Sequence, residues 1–123
     1  MKRKIRSIIE GLQNLWKWRK VIYKDRNYDH WFIYEILKTK LKFQAEYMQK
    51  HGITESSSEV AAQIFECVDL IDKVQNEYYI DEALNIEDKN WSDDKFNEAI
   101  KKDEEAREQL FLKLKNQLSQ WWD

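Results

Sequence analysis

Apolar residues recur at spacings of three and four along most of the chain, and the pattern predicts four helices, near residues 4–23, 29–51, 58–79 and 93–121. In the first, Ile5, Ile8, Ile9, Leu12, Leu15, Trp16 and Ile22 share one side, interrupted only by Arg19. That stripe predicts docking on the second helix; an anionic membrane surface is the alternative, because the other face is basic. The second helix has Asp29 placed as an N-cap and Gly52 where a left-handed stop is wanted. Phe32, Ile33, Ile36, Leu37, Leu41, Phe43, Tyr47 and Met48 cover more of its circumference than the ~100° of an ordinary surface helix. It is therefore expected to be central, packed from two sides, with Trp31, Glu35, Lys38 and Lys42 on the face left over and Tyr34 at its border.

Ser56 followed by Glu59 has capping-box spacing, and Val60, Ile64, Cys67, Ile71, Val74 and Tyr78 then form the seam of a bundle helix. Cys67 lies inside that seam and reads as a buried small hydrophobe. Periodicity fails from Ile80 to Trp91, which predicts a loop, and Ser92 is placed to cap the last helix. There Phe96, Ala99, Ile100, Ala106, Leu110, Leu114, Leu118 and Trp121 trace the apolar side. Asp103 sits within this stripe, four residues before Arg107, so the two are expected to pair as structural polar residues. Trp121 and Trp122 point about 100° apart, so only one of them joins the core. The expected fold is all-α: a single domain over residues 1–123, arranged as an antiparallel four-helix bundle.

Composition agrees, with no proline, two glycines and 36% charged residues. Six tryptophans in 123 residues exceed the needs of one small core and argue for a homo-oligomer. The net charge of −2 hides an asymmetry: residues 1–26 carry nine basic and two acidic groups, +7, which leaves −9 for the rest. Acidic and basic surfaces of this kind either neutralise one another within or between subunits or attract an anionic partner. A single cysteine excludes an internal disulfide and fits a reducing cytosol. No run approaches the ~18 apolar residues of a membrane span.

Catalytic and metal signatures are missing. There is no nucleophile elbow, phosphate loop or zinc-protease motif, and His30 and His51 stand at opposite ends of one helix of about 30 Å. Neither catalytic residues, a metal nor a cofactor is expected. The turn Lys24–Trp31, continued by Tyr34 and Lys38, mixes rings, cations and carboxylates. In Arg26, Tyr28, Trp31, Tyr34 and Lys38 that mixture suits a small anionic nucleotide, with rings stacking on bases and cations holding phosphates. Asp25, Asp29 and Glu35 argue against a long nucleic acid. The competing reading is structural: the rings pack on the first helix and the carboxylates cap the second.

Lys24-Asp25-Arg26, Asp29, Tyr34-Glu35-Ile36-Leu37, Lys40-Leu41, Tyr47, His51-Gly52, Ala62, Ile64, Cys67, Leu70-Ile71-Asp72, Asp103, Arg107, Leu110-Phe111 and Trp121-Trp122-Asp123 together resemble a family of small phage-encoded helical proteins. A further likeness is to the phage sponge proteins that sequester cyclic nucleotides made by bacterial CBASS immunity. It implies a non-enzymatic counter-defence protein, oligomeric and in the host cytosol, with Arg26, Tyr28, Trp31, Tyr34 and Lys38 gripping the signal. The alternative function is a helical protein-interaction module or inhibitor of a host protein, anchored by exposed Trp18, Trp91 and Trp122.

Overall fold

A computed structural model describes residues 2–84 and 93–122. Among these the regular structure is entirely helical: α1 (Lys2–Lys24), α2 (Trp31–His51), α3 (Ser57–Gln75), α4 (Tyr78–Leu84) and α5 (Asp93–Gln117), followed by a 3₁₀ turn over Leu118–Gln120.

The core is built by α2, α3 and α5, with Trp121 closing it. Leu41, Ala45 and Met48 of α2 meet Ala61, Ile64, Cys67, Ile71 and Val74 of α3, and Ala106 and Leu110 of α5. Alanines on all three helices let the backbones approach closely while Ile64, Ile71 and Leu110 fill the space between. Trp121 is buried, donating its indole N–H to Gln63 Oε1 at 3.2 Å, while its carbonyl accepts from the Gln44 amide; Trp122 is exposed. Burial pushes the Cys67 thiol up to about 11, against a smaller opposing pull from Lys113, so the thiol stays protonated and unreactive.

Several expectations change. The third helix ends at Gln75, not 79, because the Asn76 side chain donates to the Asp72 carbonyl and carboxylate, both at 3.1 Å. Glu77 then takes a left-handed φ of 50°, and the chain restarts as α4 inside the stretch expected to be loop. Tyr78 thereby leaves the seam and is exposed. The Ser92 cap lies outside the described residues. Ser56 makes no side-chain cap; Ser57 is buried instead, its hydroxyl 2.8 Å from that of Thr54. Gly52 is extended rather than left-handed (φ −61°, ψ 132°), and its requirement is steric: a Cβ there would collide with the Met48 carbonyl and the Ser57 side chain.

The largest change concerns the first helix. No residue of α1 is buried. It touches α2 through Trp18, whose ring meets Phe43 edge-on at 5.4 Å, and through Lys17, whose ammonium lies 5.8 Å from the same ring. At 100° per residue, Trp18 lies about 110° and Lys17 about 150° from the centre of the apolar stripe. α1 is therefore attached by the flank of the stripe and the polar side beyond it, and the stripe itself does not dock on α2. Ile33 and Tyr47 are correspondingly exposed, so α2 packs chiefly from one side.

Candidate functional site

Two surfaces bear on function. The first is the polar edge where α2 meets the end of α3. Lys38 Nζ is 2.7 Å from Gln75 Oε1, 3.1 Å from Asp72 Oδ1 and 3.3 Å from Glu35 Oε2. Gln75, buried, donates its amide to Glu35 Oε2 at 2.7 Å and to the Trp31 carbonyl at 3.3 Å. The Trp31 indole points at Asn76 Oδ1, 3.4 Å away. The face of α2 expected to be free is thus tied to α3, and the Lys38 charge is balanced by two carboxylates.

Of the five residues picked as ligand-binding, this network joins Trp31 and Lys38 through Gln75. Tyr34 packs against the core and meets the His30 ring edge-on at 6.1 Å. Arg26 and Tyr28 stand apart. The Arg26 guanidinium folds back on its own turn, donating to the carbonyls of Asp25 at 2.7 Å and Tyr23 at 3.2 Å. Tyr28 is 85% exposed. Asp29 accepts the Trp31 backbone N–H at 3.0 Å, and so supports the start of α2 although His30 occupies the capping position. Asp103 is buried and paired with Arg107 at 2.9 Å; its second oxygen, Oδ1, has no hydrogen-bond partner among the described residues.

Beside this edge, α2 and α3 enclose a hollow of about 640 Å³, with Phe43, Phe65 and Val68 on its walls. Its acidic groups, Glu35, Glu46, Asp69 and Asp72, outnumber its cations, Lys38 and Lys42. Among the described residues no cluster of His, Cys, Asp and Glu could hold a metal ion, and no helix is long and apolar enough to cross a membrane. No family model matches the chain, nor does any curated protein or solved structure.

The second surface is the outward side of α1. Ile5, Ile8, Ile9, Leu12, Leu15, Trp16 and Ile22 are all between 49% and 67% exposed. Arg19, in the middle of the stripe, stacks on the Trp16 ring at 3.6 Å and donates to the Trp16 carbonyl at 2.6 Å. A soluble protein rarely leaves so long a contiguous apolar strip in water unless something docks there.

One functional residue and one consequence of a visible pattern are not evident from the sequence alone. Gln75, which holds the α2–α3 edge together, adjoins the seam residues Ile71 and Val74; a polar residue there was the available signal. On α1, Ile5, Ile8, Leu12, Leu15, Arg19 and Ile22 follow a strict 3-4 repeat, with Ile9, Trp16 and Tyr23 at a third heptad position. That width belongs to a helix covered by another element, and the folded chain does not supply one.

Proposed function

We propose that this chain is a non-enzymatic helical interaction protein that works by docking α1 onto a protein surface. The observation that carries this is the direction of the stripe: α1 is fastened by Trp18 and Lys17 and presents seven large apolar side chains outward. Burying such a face stabilises a complex by roughly 25 cal/mol per Å² of apolar area, before the costs of association. The core draws nothing from α1, so the helix is free to serve as an arm. Deleting residues 2–20 should leave the cooperative unfolding of the remainder intact and abolish association or partner capture. A deleted chain that still associates as the full chain does would overturn the reading.

Sequestration of a small cyclic nucleotide, the activity of the phage sponges that the sequence resembles, is the second reading. Its support is the turn before α2, where Tyr28 is open to stacking and Arg26 makes no ion pair among the described residues. Lys38, held by Glu35 and Asp72, contributes little to it. On this reading a panel of cyclic dinucleotides raises Tm and is recovered intact on heating, and R26A/Y28A removes the shift. Absence of any shift removes the reading, together with its phage counter-defence setting.

A further inference from the structure

Resting on the docking-arm reading, we infer that the surface receiving α1 is the acidic hollow between α2 and α3 of a second copy of this chain, so that two copies exchange arms reciprocally. Three observations converge on that occupant.

The first is charge. α1 carries eight basic residues and one acidic one, whereas residues 57–84 carry seven acidic residues and one basic one. On α3, Asp69 and Asp72 are exposed and border the hollow, with Glu66 exposed on the same helix. A cationic amphipathic helix lying along an anionic apolar furrow is the usual helix-in-groove arrangement.

The second is Arg19. It stands in the centre of the stripe, so any partner that covers the stripe must also cover a guanidinium. Pairing α1 with α1 would bring the arginines and their basic flanks together in a desolvated seam, a costly arrangement. The hollow answers this charge: Asp69 and Glu46 line it, and a carboxylate accepts from both arms of a guanidinium. A lipid surface offers phosphates, but the remaining −9 of the chain opposes approach to an anionic membrane.

The third is size. Seven large apolar side chains, each about half exposed or more, offer an area on the order of the ~800 Å² per partner of a standard interface. A reciprocal exchange across a two-fold axis doubles whatever part of that area the hollow covers.

The test uses two singly substituted full-length chains, L12C and K42C. Neither substitution touches the core or removes a carboxylate of the hollow: Leu12 is exposed, and Lys42 is an exposed residue on the rim of the hollow. The native Cys67 is fully buried and does not compete. With a short bis-maleimide, a mixture of the two chains should give a covalent dimer that neither gives alone. The parent chain should sediment as a dimer that weakens as salt rises, and Arg19→Glu should shift it at least tenfold toward monomer. Self-linking of L12C, with association that strengthens in salt, would show α1 pairing with α1 and overturn the inference. So would a chain that stays monomeric at the highest soluble concentration, or one that binds phosphatidylserine vesicles as a monomer. A monomer that captures another protein through α1 defeats the second-copy assignment and leaves the docking-arm reading standing. Association unchanged on deleting residues 2–20 defeats both.

Discussion

α1 repeats its apolar residues as regularly as α3, yet Ile64 and Ile71 are sealed while Leu12 and Leu15 stand in water. The difference lies in what accompanies the repeat. α3 places Ala61 and Cys67 among its isoleucines and faces Ala45 of α2 and Ala106 of α5, so three backbones close on one another without voids. α1 has no small residue within its stripe, and it carries Trp16 and Arg19 in the middle. A stripe shows that a helix wants cover. The sizes and charges along it show what kind of cover will fit, and within a single copy of the chain nothing covers the stripe of α1.

The comparison breaks most visibly in the core. Ile71→Ala should destabilise the fold by about 2–5 kcal/mol, read by urea denaturation, because a sealed site cannot collapse around the lost atoms. A loss below about 1 kcal/mol would mean that α3 is not the closed helix described. Gly52→Ala should also be costly: its Cβ would strike the Met48 carbonyl and the Ser57 side chain, forcing the α2–α3 turn open. A drop in Tm comparable to that of a core truncation is expected, and an unchanged Tm would refute the close approach.

Legibility in the sequence followed the same line. Interactions within one helix were readable: the α3 seam as far as Val74, the burial of Cys67, and the Asp103–Arg107 pair all rest on spacings of three and four. Interactions that require knowing a neighbour were not. Gln75 looked like an ordinary end-of-helix residue until its amide met Glu35 and the Trp31 carbonyl, and Lys38 looked free until Asp72 was brought beside it. At Gly52 the sequence points to the backbone freedom of a glycine, whereas the fold needs its lack of a Cβ. The outward turn of α1 depends on Trp18, a single ring at the flank of the stripe that meets Phe43.

The polar edge between α2 and α3 is intermediate in expected effect. Gln75→Ala removes the buried amide that bridges Glu35, the Trp31 carbonyl and Lys38, and should cost about 1–3 kcal/mol by denaturant unfolding. A change under ~0.5 kcal/mol would show that water replaces the amide at no cost, and would return Trp31 and Lys38 to the pool of groups free to bind a ligand. Cys67 supplies a pH counterpart. Its thiol titrates near 11 in the fold against a reference of 9.0, so the protonated form stabilises the native state fully below pH 9.0. That contribution fades as pH rises toward 11, because the unfolded chain ionises first, and the slope reaches at most about 1.4 kcal/mol per pH unit. Cys67→Ala should flatten the slope; an equally steep slope in the variant would assign it to other groups.

The smallest effects are expected on α1, where they are the most discriminating. Leu12→Ala, chemically close to the α3 truncation, should change the stability of the isolated subunit by no more than about 0.5 kcal/mol, since Leu12 touches nothing that folding must close. Gly11→Ala meets open space, so its effect should be confined to the helix itself. Replacing glycine by alanine in an exposed helix interior favours the helix by about 1 kcal/mol, which should appear as higher helical circular dichroism with no gain in the Tm of the core. If Gly11→Ala instead raised Tm as a core stabilisation would, α1 and the α2–α3–α5 core would unfold as one cooperative unit. The contrast between a sealed helix and an extended arm would then fail at its root.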